Sequence, residues 1–484
     1  MGAGAMVRAV TLSAGTQIAA KAVHLGLNVV ASLALIRYFG PASYGDYVFV
    51  FSFATLLGLV SDMGIAKVAV RGMARDERQT PGLLGTTVVA RLCLAAFAAV
   101  GAQLVLVAMG ARPEIHAAVA IASLLFFTDA LLSVAALFQV RIALQYDALV
   151  QIVIQTLDTL LILILIARSA SLVAIVAAPV ISAVVGVAVA IVLARARFDL
   201  RVSFDARRLA ELLREAAPVG ANLFVAVVYL KIDTILVSVM RGPEEVGYYG
   251  AAYKPIEYLL LASAVLVNTL FPLLARWHRA DHGRFVTIYR RGTEILLVGA
   301  IPIAIILSFA AEPLVTAVYS EAFAPAAAAL KILSVALVFM TFNAWQGFVL
   351  LAGGRQRVTL AYDAVALVLN VVLNLLLIRV IGFVGAAFAA LLTGAFIGIV
   401  GTVAVSRLLS STLDVARIRS VLLANALLAV SLAGLLLSGM HWLGAIALAS
   451  LAYPVWLFLF SVVTTADLRL LRSDAPETLP AAGR

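Results

Sequence analysis

Charge is scarce in this chain. Asp, Glu, Lys and Arg together make up 12% of its residues against roughly 25% in soluble domains, while hydrophobic residues reach 64%. Water is thereby excluded as the main solvent of the fold. Cysteine is all but missing: the single Cys93 rules out an intramolecular disulfide and, lying in an apolar run, reads as a small packing residue. The alternating period of a membrane barrel strand is absent. So are metal-ligand spacings, a nucleophile elbow and a phosphate-cradling glycine loop, and neither an enzyme nor a resident metal or cofactor is expected. The first residues, Met1 to Arg8, lack the charged, apolar and small-residue succession of a signal peptide, and no cleaved one is expected.

What is present is a series of long apolar runs, which begin around Ala14, Tyr47, Leu83, Ile115, Ala148, Leu172, Pro218, Tyr248, Phe285, Ala326, Leu360, Phe383, Ile418 and Trp442. Each is long enough to cross a hydrocarbon core of about 30 Å as a helix, which gives an all-α polytopic membrane protein of about fourteen spans. Basic residues fall on one set of loops. Lys67, Arg71, Arg75 and Arg78 follow span two, and Arg195, Arg197, Arg201, Arg207, Arg208 and Arg214 follow span six. Arg276, Arg279, Arg284, Arg290 and Arg291 follow span eight, whereas loops of the other set carry at most one arginine each. The positive-inside rule then places both termini in the cytoplasm, and the net charge of +10 is a matter of topology, with no nucleic-acid partner.

The chain repeats itself. Gly40-Pro-Ala-Ser-Tyr-Gly-Asp-Tyr47 matches Gly242-Pro-Glu-Glu-Val-Gly-Tyr-Tyr249 at Gly, Pro, Gly and Tyr in the same spacing, each time between a first and a second span. Proline stops the preceding helix, glycine supplies the turn and tyrosine suits the interface. The expected organisation is a six-helix bundle over 1–194, a cytoplasmic linker over 195–215, a second six-helix bundle over 216–407, spans thirteen and fourteen over 408–466 and a polar cytoplasmic tail over 467–484. In the linker, Leu209, Leu212 and Leu213 alternate with Arg208, Glu211 and Arg214, the pattern of a short amphipathic helix on an anionic leaflet.

Polar groups inside spans are expensive, so those that recur on one face point to a wet cavity or to each other. Gln17, Lys21, His24, Asn28 and Ser32 make such a stripe on span one. Asn222, Tyr229 and Asp233, with Lys231 nearby, make one on span seven; Lys254, Glu257 and Asn268 make one on span eight. Asp363 on span eleven and Gln155 and Asp158 on span five add further polar faces, and Arg91 and Asp129 stand as isolated charges.

Three stretches carry a resemblance. Tyr38-Phe-Gly-Pro-Ala-Ser-Tyr-Gly-Asp-Tyr47 with Ser61-Asp-Met-Gly-Ile65, Lys231-Ile-Asp-Thr-Ile235 with Val246-Gly-Tyr-Tyr249, and Gly382-Phe-Val-Gly-Ala-Ala-Phe388 together resemble the Wzx-type oligosaccharide flippases. These form the polysaccharide-transport branch of the multidrug/oligosaccharidyl-lipid/polysaccharide exporter superfamily. The resemblance implies two pseudo-symmetric six-helix bundles, with spans one, two, seven and eight lining a central cavity open alternately to either side. It implies a bacterial inner-membrane flippase of undecaprenyl-pyrophosphate-linked oligosaccharide, working beside the glycan polymerase and glycosyltransferases of its pathway. Many Wzx-type members have only twelve spans; fourteen is also the number in lipid II flippases, so a lipid II substrate stays open, as does the multidrug or cation antiport of the related branch. The expected head-group cations are Lys21, Lys231, Lys254 and Arg91, since ammonium meets phosphate as a compact charge. The expected polar lining is Gln17, His24, Asn28, Asn222, Tyr229 and Asn268, and Asp233, Glu257 and Asp363 are expected to balance charge or to couple transport to protons or sodium.

Overall fold

The computed structural model describes residues 3–198, 201–410, 414–460 and 462, and leaves out the side chains of residues 3–19, 266, 268 and 279. The side chains of Gln17 and Asn268 and the tail from residue 467 lie outside the described residues. Every regular element among the described residues is helical. The chain runs through α1 (Ala3–Tyr38), α2 (Pro41–Asp62), α3 (Ile65–Arg75), α4 (Thr80–Ala108), α5 (Pro113–Ala122), α6 (Leu124–Leu131), α7 (Ala136–Val140), α8 (Leu144–Ala167) and α9 (Leu172–Phe198). It continues through α10 (Ala206–Arg241), α11 (Pro243–Ala280), α12 (His282–Phe309), α13 (Ala311–Val318), α14 (Ala326–Ala352), α15 (Gln356–Ile381), α16 (Phe383–Leu409), α17 (Val415–Leu437) and α18 (Trp442–Leu459). Among the described residues thirteen helical stretches are long and apolar enough to cross a membrane, and α11, bent by 44° after Val265, makes a fourteenth. Lipid offers the backbone no partners, so helices that satisfy their own N–H and C=O groups are the outcome.

Local chemistry sets the helix boundaries. Proline opens α2, α4, α5 and α11, where its missing N–H is one of the unpaired donors of a first turn. Aspartate caps α10, α12 and α17: Asp205, Asp281 and Asp414 accept the backbone N–H of Arg207, Arg284 and Arg417 at 3.0, 3.0 and 3.2 Å. All three caps lie in the arginine-rich loops. Asp414→Ala should cost about 1 kcal/mol, visible as a lower thermal midpoint of the detergent-purified protein; an unchanged midpoint would mean that α17 is held by packing alone.

The Ser61-Asp-Met-Gly-Ile65 stretch interrupts the second span. Met63 and Gly64 turn left-handed at φ 43° and 79°, and the Asp62 carboxylate accepts the N–H groups of Gly64 and Ala66 at 3.3 and 3.1 Å, which restarts the helix as α3. Cys93 is exposed on α4 and is not the buried packing residue expected, because it lies on a face that no other helix covers.

The helices group into two compact units. The first comprises Met1–Tyr258, Val315–Ala329 and Leu360–Ala390; the second comprises Leu259–Leu314, Leu330–Thr359 and Leu391–Arg484. One core of the first unit gathers Ile65, Val68 and Met73 of α3 with Leu84, Phe138, Val150 and Leu212. In the second unit Trp345 is fully buried, with its ring where a side chain on Gly292 would stand and its indole N–H donated to Thr293 Oγ1 at 3.1 Å. The α17–α18 pair packs Leu428 and Leu432 against Ala445 and Ala449, large against small at four-residue spacing, and Tyr453 donates to the Val298 carbonyl of α12 at 3.1 Å.

Candidate functional site

Within the first unit the two copies of the Gly-Pro turn meet. A Cβ on Gly45 would strike the carbonyl of Pro243, and a Cβ on Gly247 would strike the carbonyl of Pro41. Gly45 corresponds to Gly247 and Pro41 to Pro243, so the contact is reciprocal, as at a two-fold interface. Further along, a Cβ on Gly250 would meet the methyls of its own counterpart, Val48. Surrounding groups fix the turns: Arg37 donates to the carbonyls of Ala317 and Val318, and Arg241 to those of Ile378 and Arg379. Glu245 accepts the Phe383 N–H at 2.7 Å beside Gly382, which is left-handed at φ 62°. That approach explains Gly382, while Gly385 is held small by the Leu377 backbone.

A cavity of about 110 Å³ lies between α2 and the α10–α11 pair. From α2 come Tyr44, Tyr47, Val48, Phe51, Ser52 and Thr55; from α10 come Leu230, Lys231 and Thr234; from α11 come Tyr249, Gly250, Tyr253, Lys254 and Glu257. On each helix these recur at three- and four-residue steps, one face per helix. The faces of α2 and α11 correspond position by position: Tyr47 with Tyr249, Val48 with Gly250, Phe51 with Tyr253, Ser52 with Lys254 and Thr55 with Glu257. Placement is symmetric and charge is not. The first half contributes hydroxyls where the second contributes a cation and an anion.

The charges form one group. Glu257 takes Lys254 Nζ on one oxygen at 2.9 Å and Lys231 Nζ on the other at 3.4 Å. All three side chains keep between a quarter and a third of their surface, at 28%, 26% and 32% for Lys254, Lys231 and Glu257. The trio carries one net positive charge.

The remaining expected site residues are placed as follows. Asp233, 6% exposed, points away from the lining; it accepts Tyr249 Oη at 3.0 Å and Asn374 Nδ2 at 2.8 Å, and Asn374 also donates to Asn370 Oδ1. That network ties α10, α11 and α15 together. Asn28 and Ser32 of α1 stand 3.1 and 2.8 Å from the Tyr258 hydroxyl, next to Glu257, yet are not in the lining. His24 is half-buried and Lys21 exposed on α1; Tyr229 is half-buried and Asn222 exposed on α10; Asp363 is half-buried on α15. None of these five lines the cavity. Arg91 is enclosed elsewhere, between Asp62 at 3.1 Å and Asp129 at 2.5 Å, with Ser133 Oγ at 2.6 Å. It joins α2, α4 and α6.

What residue reading missed is the aromatic wall, Tyr44, Tyr47, Phe51, Tyr249 and Tyr253, together with Thr55 and Thr234. The repeat was the available signal, since the second Gly-Pro turn opens the helix that carries Lys254 and Glu257, and the first opens its counterpart.

Among the described residues the chain is an all-helical bundle, and the helices that follow its two Gly-Pro turns enclose a polar cavity. Residues 13–278, more than half of the chain, match the polysaccharide biosynthesis protein family, and the chain belongs to that family. It is 27% identical over 178 residues to the teichuronic acid biosynthesis protein TuaB of Bacillus subtilis (strain 168), a stretch of 36% of this chain and about a third, 34%, of that relative. Among solved structures the fold is similar to the lipid II flippase MurJ in its inward closed conformation, with TM-score 0.77 and 13% identity over 93% of this chain and 98% of that one. It is similar also to an inward-facing multidrug resistance MATE family transporter of the MOP superfamily, with TM-score 0.60 and 16% identity over 81% of this chain and 98% of that one.

Proposed function

We propose that the protein flips a polyprenyl-pyrophosphate-linked oligosaccharide, the repeat unit of an extracellular polysaccharide, across the bacterial cytoplasmic membrane by alternating access. In this reading the halves over 1–194 and 216–407 open the cavity to each side in turn, and both termini are cytoplasmic. The observation that carries it is the Lys231–Glu257–Lys254 group. It sits on a cavity otherwise lined by tyrosines and hydroxyls, and its net charge is positive, which suits a diphosphate. Glu257 holds the lysines while the cavity is empty and is displaced by the lipid head. At about 110 Å³ the cavity is too small for an oligosaccharide head group, for which pockets of about 300–1,000 Å³ are usual, so α2 must part from α10 and α11 during transport. Asp233, Glu257 and Asp363 are the carboxylates through which a proton or sodium gradient would act, and the partners are the glycosyltransferases and polymerase that make and use the lipid-linked glycan.

Each lysine–phosphate contact is a charge-assisted hydrogen bond worth about 1.5–3 kcal/mol. Changing Lys231 and Lys254 together to Gln should therefore lower glycan export at least about tenfold at unchanged protein level, whereas Lys21→Gln should have the smaller effect. Export in the double variant equal to that of the parent would remove the two lysines from the site. A lipid II substrate is separated by rescue of a strain depleted of its lipid II flippase, and a multidrug antiporter by the drug susceptibility of a deletion strain. Two lysines on the cavity argue against organic cations as cargo.

A further inference from the structure

The stretch joining the two halves places its apolar residues differently from its sequence pattern. Leu209, Leu212 and Leu213 read as the lipid-facing stripe of a surface helix, but α10 is continuous from Ala206 to Arg241, and Leu212 and Ala216 are 4% and 1% exposed in the core built on α3. Leu213 stays 38% exposed, and further exposed apolar surface lies just before the helix. Val202 and Phe204 are 54% and 52% exposed. Their segment is pinned by its backbone: Ser203 N–H donates to the Pro81 carbonyl at 3.0 Å and Asp205 N–H to Thr86 Oγ1 at 3.1 Å. The Ser203 backbone also occupies the space that a side chain on Gly85 would need. In an extended segment alternate side chains share a side, so fixing Ser203 and Asp205 against α4 turns Val202 and Phe204 outward together.

Depth follows from helix geometry. With a rise of about 1.5 Å per residue, Thr86 stands about 33 Å along α4 from its far end at Ala108, one hydrocarbon thickness away, so Val202 and Phe204 lie at the level of lipid head groups. The surroundings are basic. Arg207 and Arg214, seven apart, share an exposed face of α10, and Arg201 is exposed beside Val202. Of the nearby described acids, Asp205 is engaged by Arg208 at 3.0 Å and Glu215 by Arg71 at 3.0 Å, and Glu211 is exposed.

We propose that residues 201–207 are a membrane-surface anchor for anionic lipid. Val202 and Phe204 enter the acyl boundary, and Arg207 and Arg214 meet the head-group phosphates.

The test uses the full chain with Cys93→Ser and Phe204→Cys, labelled at residue 204 with an environment-sensitive nitrobenzoxadiazole and reconstituted into vesicles. Acyl-chain nitroxide lipids should quench the label about twofold or more in phosphatidylglycerol vesicles, and less in phosphatidylcholine alone. Adding Arg207→Gln and Arg214→Gln should abolish that difference. A label reporting water in both vesicles overturns the anchor, and equal quenching in both removes the anionic preference. Shielding in native membranes but not in pure lipid overturns it in favour of a protein partner. Separately, Val202→Ser with Phe204→Ser should leave the thermal midpoint in detergent unchanged, since both are exposed, and lower it in anionic vesicles; a lower midpoint in detergent would assign them to packing.

Discussion

Gly45→Ala should lower the stability of the folded protein by about 3 kcal/mol, the upper end of the cost of overpacking, and Gly247→Ala should do the same. In each case the added methyl meets a backbone carbonyl, that of Pro243 or of Pro41, which cannot swing aside as a flexible side chain can. The turns would have to separate, and with them the helix starts that carry the cavity lining. Gly101 supplies the comparison: it lies within α4 with nothing within 4 Å of a built Cβ, so alanine there should gain about 0.5–1 kcal/mol through helix propensity. Thermal midpoints of the three variants in one detergent decide the matter. Gly45→Ala and Gly101→Ala behaving alike would mean that the turns are not in contact in the folded protein.

Arg91→Met keeps the length and apolar stem of the side chain and removes its charge. Breaking a buried ion network by deleting one partner typically costs 3–5 kcal/mol, and the low end, about 3 kcal/mol, is expected here because the Asp129 side chain is 62% exposed. The loss falls mainly on Asp62, only 22% exposed, which also caps the restarted helix α3. Asp62→Asn retains an oxygen for that cap, so adding it to Arg91→Met should recover more than half of the lost stability. A double variant no more stable than the single would show that Arg91 acts through packing and not through its carboxylates.

The membrane fold was legible in the sequence because the bilayer allows so few alternatives: an apolar run of sufficient length must be a helix, and the count of about fourteen followed. The Lys254–Glu257 pair was legible too, since residues three apart on a helix must be neighbours. Lys231 joining them was not, because helical spacing says nothing about which faces of two helices meet. The same limit accounts for Asn28 and Ser32, which lay on a readable stripe whose partner, Tyr258, only tertiary structure could supply. Arg91 and Asp233 show the other side of it. A charge in an apolar run announces that it has a partner without saying whether that partner is solute or protein, and each of these two is engaged by charged or polar groups of neighbouring helices. The linker divides for a related reason: a leucine stripe fits a protein groove as well as a lipid surface, and Leu212 lies in the groove that α3 provides while Leu213 stays exposed.

Val48 and Gly250 hold the same position after the two Gly-Pro turns, and a Cβ on Gly250 would meet the Val48 methyls. Where a duplicated chain folds onto its own duplicate, the central pair must divide a single parcel of volume, so one member shrinks when the other grows. Their divergence is a matter of bulk and records nothing about cargo. Ser52 and Lys254, or Thr55 and Glu257, are under no such compulsion, and it is at those pairs that the two matching helices differ in charge.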